Sequence, residues 1–338
     1  MNARDQNTPL SDTHDTPDKS LHPVNVAFAD YDRTRPLIDG RVQAPGIKLS
    51  IDTKFIAEFC ARPVYEEYDA AEMSFSWFVA ARARGEPVIA LPVFPLRMPV
   101  LAYVLCRNGA SFTKPSDLIG KRIGVARYRY TVNLWLRGIF KEHYGLAPEQ
   151  VTWVTSGEED AGYVPPQGIH IELNAGRLST QALLARGEVD AVLLARLPDD
   201  YLRGETDFRR LFPDARAEMR AYYAKTGIVP ITHVMVMGQA LYDREPWIAA
   251  NLTQAFIDAQ RMCDDFYLDC SKHLSYPEAV FFMEEQRETY GAYPWSHGID
   301  GNRQNIDTFV RYAQEQQYIP RVLTIEEMFA TNTLALKR

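Results

Sequence analysis

No stretch of this 338-residue chain approaches the roughly 18 consecutive apolar residues that a membrane-spanning helix requires. Basic charge is also in deficit: 37 Lys and Arg stand against 44 Asp and Glu, a formal net charge of −7. A nucleic-acid surface needs a basic excess to displace counterions, so that class of partner is excluded. An acidic chain can still hold an anion, but only through a local cluster of cations, which makes the arginines worth following. Cysteine is scarce, and Cys60, Cys106, Cys263 and Cys270 form neither CxxC nor a Cys/His ligand spacing. They read as thiols in a reducing compartment. HExxH and HxH are absent, so no metal centre is indicated and a divalent ion would need ligands from distant positions. The GxSxG elbow of a serine hydrolase is missing as well. The opening MNARDQNTPLSDTHDTPDKS has no apolar core of a secretory signal. Residues 1–22 therefore read as a disordered tail, and the expected location is the cytoplasm.

What the chain does contain is enough apolar material, 46% of residues, for two α/β lobes. VNVAFA (24–29) is a short buried-strand run, and GIKLSIDTKF (46–55) alternates Ile47, Leu49 and Ile51 on one face. DAAEMSFSWFVAARARG (69–85) begins as a strand and turns helical until Gly85. VIALPVF and VLAYVLC (88–94, 100–106) are strands separated by prolines. A strand follows at Arg122–Ala126, then a helix whose stripe is Val132, Trp135, Leu136, Ile139 and Phe140. VTWVTS (151–156), the helix in LSTQALLARGEVDAVLLAR and the strand Asp190–Leu194 continue the alternation. This pattern implies parallel sheet with right-handed crossovers. Strand returns at Pro230–Met237, after which the chain is helical.

Two segments, SDLIGKRIGVARY…LWLRGIFKEHYGL and ALLARGEVDAVLLAR, resemble the second lobe of the type II periplasmic-binding-protein fold. Adding RLFPDARAEMRAYYAKTGIVPITHVMVMG, FADYDRTRPLIDGRV, MSFSWFVAARARGE, LPVFPLR and YPWSHGIDGNRQNID, the chain resembles the 4,5-dihydroxyphthalate decarboxylase family from about Val24 to Leu334. The resemblance implies a two-lobed α/β fold with a ligand cleft between the lobes. Lobe 1 would comprise 23–105 and 228–338, with the last hundred residues packed on it, and lobe 2 would comprise 106–227. It also implies a carboxy-lyase of phthalate degradation that turns 4,5-dihydroxyphthalate into 3,4-dihydroxybenzoate (protocatechuate) and CO2. A homo-oligomer is expected from the family and from the aromatic C-terminal third. The chain departs from the family in one place. There the FPxR element is usually followed by Phe, Arg and His, whereas Met98, Pro99, Val100 and Leu101 follow Arg97 here.

In that reaction each carboxylate lies para to a hydroxyl, so the ring is its own electron sink and no organic cofactor is required. The protein must bind the carboxylates, place a base at the phenol and an acid at the ring carbon, and exclude water. Arginine suits the first task because its planar fork matches a carboxylate. Arg127 and Arg129, in ARYRYT between a strand end and a helix start, are expected to take over part of that recognition. Arg33 and Arg35 follow the first strand, and Arg97 lies in a proline-bracketed turn. Ser74 and Ser76 stand where a strand gives way to a helix, as caps or ligand donors. His233, in PITHVMVMG, and His297, in YPWSHGIDGNR, are the candidate proton carriers. The alternative of another class is a solute-binding protein that delivers a small aromatic or sulfonate anion to a transporter. The absence of a signal segment disfavours it, and fold alone would not separate the two.

Overall fold

The strands of the computed structural model, which describes residues 21–54, 58, 63–159, 163–269 and 274–338, sort into two sheets. Residues 1–20 of the expected tail, together with Cys60 and Cys270, lie outside the described residues. The first sheet has five strands: β1 (His22–Phe28), β2 (Ile47–Thr53), β3 (Ala70–Ser74), β4 (Val88–Ala90) and, much later, β11 (His233–Gly238), in the order β2-β1-β3-β11-β4. The second has six: β5 (Val104–Arg107), β6 (Arg122–Val125), β7 (Thr152–Thr155), β8 (His170–Leu173), β9 (Ala191–Leu193) and β10 (Phe208–Arg210), in the order β10-β5-β9-β6-β7-β8. Helices α1 (Arg35–Ile38), α2 (Phe75–Ala83), α3 (Thr131–Tyr144), α4 (Thr180–Arg186), α5 (Asp199–Leu202) and α6 (Ala215–Thr226) punctuate the strands. Helices α7 (Gln239–Arg244), α8 (Pro246–Leu268), α9 (Ala279–Tyr290), α10 (Arg303–Glu315) and α11 (Ile325–Met328) follow β11. Among the described residues no helix is long and apolar enough to cross a membrane.

β1 runs parallel to β2 and β3, whereas β11 runs antiparallel to β3 and β4. The chain leaves the first sheet after β4 and returns through residues just before β11. These two connections pair with each other: Met98 N–H donates to Pro230 O and Thr232 N–H to Leu96 O, both at 2.9 Å. The strand expected over 100–106 is divided. Val100–Tyr103 forms a 3-10 turn after Pro99, and β5 then pairs along its length with β9 and β10. A boundary at 105/106 thus falls inside a strand of the second sheet. His22, expected in the tail, instead opens β1 and donates its N–H to Gly46 O.

α8 covers one face of the first sheet, with Phe256 edge-on to Phe28 at 5.3 Å. α10 packs on lobe 1, as expected of the last hundred residues, and on lobe 2 as well. Its stripe of Ile306, Phe309, Val310 and Ala313 is buried, and Phe309 and Tyr312 lie 5.2 and 5.8 Å from Trp135 of α3. Phe309 also stacks on Phe75 of α2 at 4.7 Å. One apolar core therefore runs from the first lobe through α10 into the second. Gly138 on α3 makes this approach close, since a Cβ there would overlap the ring of Tyr312. Tyr312 cannot yield easily, being 1% exposed with its hydroxyl bonded to Glu142 at 2.7 Å. Gly138→Ala is accordingly expected to lower unfolding stability by about 3 kcal/mol, read from denaturant melts. A melt within 0.5 kcal/mol of wild type would show that the α3–α10 contact is loose.

Candidate functional site

β1 and β3 end at one edge of the first sheet, and because β11 is antiparallel its first residue enters at that same edge. His233 stands opposite Ser74 in the register. Ser74 ends β3 and precedes α2, where the sequence turns from strand to helix. Its hydroxyl makes no capping bond in α2 but meets Thr131 Oγ1, the first residue of α3, at 2.7 Å. Ser76 N–H donates to Thr131 Oγ1 at 3.0 Å, and Ser76 Oγ to the Arg129 carbonyl at 3.1 Å. The N-termini of α2 and α3, one from each lobe, thus converge, and each carries the partial positive charge of unsatisfied N–H groups. Arg129 is buried beside them, its guanidinium 4.8, 5.0 and 5.3 Å from the rings of Trp77, Tyr163 and Tyr318. Arg127 is half-buried, and its carbonyl accepts from Asn133 Nδ2 at 2.6 Å.

The next group along the edge contains a residue that sequence reasoning missed. His233 Nδ1 lies 2.6 Å from Glu72 Oε1, and both side chains are buried. Glu72 also accepts from the Ala29 N–H at 3.0 Å and the Tyr31 hydroxyl at 2.8 Å. Burial opposes the ionised form of Glu72, but the bonds from His233, Ala29 and Tyr31 outweigh it and hold the carboxyl below its usual range. A buried carboxylate is tolerated when it is bonded in this way.

Beyond His233 lies a cationic corner. The Leu96 carbonyl accepts from His233 N–H at 3.2 Å, and Arg97 follows it. Arg97 is 7% exposed; its Nη2 donates to Ser296 O at 2.7 Å and to Asn302 Oδ1 at 2.5 Å. Its Nε is buried without a hydrogen-bond partner, and no carboxylate among the described residues pairs with it. Burial, then the neighbouring Arg33, pushes this guanidinium down to about 9, still charged at neutral pH. Arg33 is stacked between the rings of Tyr31 and Trp295, 4.1 Å from each, with Nε bonded to Pro95 O at 2.8 Å. Arg35 is not part of this corner. It opens α1, whose buried face is Pro36 and Leu37, and its exposed side chain pairs with Asp30 at 2.5 Å.

His297 is brought to the corner as a neutral base. Its Nδ1 accepts from Phe94 N–H at 3.2 Å, and burial, then Arg97 and Arg33, push its pKa down to about 3. The unfolded chain takes up this proton near the ordinary value of 6.5, whereas the folded chain resists until about 3. In that window the unfolded state binds more protons, so stability present above 6.5 is lost as pH falls, by up to about 1.4 kcal/mol per pH unit. His297→Gln should flatten the loss of stability between pH 7 and pH 5; equal slopes in both proteins would contradict the buried neutral ring.

No family model matches the chain. It is 31% identical over 318 residues to the 4,5-dihydroxyphthalate decarboxylase of Comamonas testosteroni, covering 90% of this chain and 96% of that one. It is 34% identical over 209 residues to the enzyme of that name from Pseudomonas putida, covering 59% and 81%. The chain belongs to the 4,5-dihydroxyphthalate decarboxylase family. The solved structures it is similar to include the periplasmic sulfonate-binding protein of Methylobacillus flagellatus, with a TM-score of 0.55 at 17% identity and 93% of each chain covered. The aliphatic sulphonate-binding protein of Escherichia coli gives 0.53 at 14% identity and 92% of each chain. At those identities the likeness carries the fold alone, a type II periplasmic-binding-protein-like fold.

For this member of the decarboxylase family, the structure gathers Ser74, Ser76, Arg129, His233, Arg33, Arg97 and His297 along one edge. Arg35 stays outside. Glu72, Tyr31 and Thr131 join without having been singled out. Glu72 left one trace, a lone charge inside the apolar strand AAEMS. Among the described residues no group of three or more His, Cys, Asp or Glu side chains is placed to hold a metal ion.

Proposed function

We propose that this chain is a carboxy-lyase that converts 4,5-dihydroxyphthalate to 3,4-dihydroxybenzoate and CO2 without cofactor or metal. The observation that carries the reading is His233, anchored through Nδ1 to the buried Glu72 and set between the convergent helix N-termini and the Arg33–Arg97 corner. With the substrate hydroxyl deprotonated, electron density moves to the para carbon that bears a carboxylate. With Nδ1 committed to Glu72, His233 exchanges protons with a ligand through Nε2 and delivers one to that carbon. The C–CO2 bond then breaks, its electron pair restores the aromatic ring, and the phenolate regains a proton. Glu72 offsets the positive charge of the loaded imidazole, as a carboxylate does for the histidine of a catalytic triad.

The curated relatives are named as enzymes rather than receptors, which favours catalysis over solute delivery and supports a cytoplasmic role in phthalate degradation. A homo-oligomer is part of the same reading. Tyr276, Phe281, Phe282 and Tyr293 are 79, 62, 54 and 49% exposed, an apolar surface suited to a partner subunit. The test is CO2 release from 4,5-dihydroxyphthalate by the purified protein, with and without chelator. Tight binding with no turnover under any metal condition would favour the solute-binding alternative.

A further inference from the structure

His233 separates two groups of different chemistry. On one side are Ser74, Ser76 and Thr131 at the two helix N-termini, with Arg129. That side offers hydroxyls, which both donate and accept, backbone N–H groups and a single guanidinium already packed on the Trp77, Tyr163 and Tyr318 rings. On the other side two guanidiniums, Arg33 and Arg97, stand over the same Trp295 ring, 4.1 and 5.9 Å from its centre, and Arg33 disfavours the charge on Arg97. Among the described residues Asp32, 49% exposed, is the only carboxylate that pairs with Arg33, and the buried Nε of Arg97 is unsatisfied. His297 adds no charge there, because it is neutral. A buried excess of positive charge without a counter-ion is costly until an anion arrives.

From this asymmetry we infer that the Arg33–Arg97 corner is the subsite for a vicinal dicarboxylate, and the serine–threonine junction the subsite for the hydroxyl edge of the same ring. Two adjacent carboxylates meet two guanidiniums, whose forked donors match carboxylate geometry. The phenol oxygens meet groups able to take up or return a hydroxyl proton. The ring then lies across His233, which must reach a carbon at the carboxylate end. This assignment differs from the expectation that Arg127 and Arg129 take over part of the carboxylate recognition. It relies on the decarboxylase reading for the identity of the substrate, but its test does not require turnover.

Phthalate and catechol each carry one edge of the substrate, and neither has the para hydroxyl–carboxylate pair that the reaction needs. Calorimetric titration of the full chain with each probe separates the two subsites. Wild type should bind phthalate on the order of 30-fold more tightly than benzoate, which has one carboxylate. Arg97→Gln should remove most of that advantage while leaving catechol binding within about 3-fold of wild type. Ser76→Ala should do the reverse. Arg33→Gln and Arg97→Lys repeat the first arm, should Arg97→Gln fail to fold. The inference is overturned if wild type does not distinguish phthalate from benzoate, if the corner variants leave phthalate binding unchanged, or if they weaken catechol as much. Phthalate discrimination in a protein that releases no CO2 from 4,5-dihydroxyphthalate would sink the decarboxylase reading and leave the subsite standing.

Discussion

Replacing His233 by glutamine is expected to lower kcat by roughly 10²–10⁴-fold while KM stays within a few-fold. The split follows from its place. His233 lies at the first residue of β11, with its backbone N–H on Leu96 O and its ring on Glu72, so the sheet holds it without help from a ligand. Glutamine can keep a bond to Glu72 but cannot carry a proton to carbon. Substrate affinity, which the reading assigns to the groups on either side, should persist. A variant that turns over normally per folded molecule would make His233 a structural residue.

The second large effect is expected at Glu72. Glu72→Gln should reduce kcat on the order of 10²-fold or more, again with little change in KM. The Ala29 N–H and Tyr31 hydroxyl both donate to this carboxylate, together with His233 Nδ1. An amide has one accepting oxygen, so at least one of the three donors would face an NH2 group. The variant also loses the negative charge that balances a protonated imidazole. Glu72→Asp keeps the charge and should recover part of kcat. In 15N spectra the wild-type imidazole should carry a proton on Nδ1, and Glu72→Gln should lower that occupancy. Unchanged kcat and unchanged imidazole signals in a folded Glu72→Gln protein would remove Glu72 from any role in positioning His233.

Much of the scaffold was legible because it depends on periodicity. Ile47, Leu49 and Ile51 alternate as a strand must, and β2 occupies Ile47–Thr53. The change of period at Ser74 marks the end of β3 and the start of α2, and Gly145 ends α3 in a left-handed conformation, as a C-terminal glycine does. The contacts between lobes were not legible in the same way. α10 has a clear apolar stripe, yet nothing in that stripe says whether it faces lobe 1 or Trp135 of α3. Arg33 and Arg35, two positions apart, diverge because α1 buries Pro36 and Leu37 and leaves Arg35 with Asp30, while Arg33 is caught between Tyr31 and Trp295. Glu72 and His233 lie 161 residues apart, and only the antiparallel pairing of β3 with β11 makes them neighbours. Sequence chemistry flagged the histidine, since few side chains move protons near neutral pH. The carboxylate left only the weaker trace of a lone charge in the strand AAEMS, which does not name its partner.

The most direct test of decarboxylation is to incubate the purified chain with 4,5-dihydroxyphthalate in the presence of chelator and follow CO2 and the aromatic product together. Equimolar CO2 and 3,4-dihydroxybenzoate are expected, with no cofactor added and no loss of rate on chelation. Binding of the dicarboxylate with neither product formed, with or without divalent metal, would contradict the decarboxylase reading.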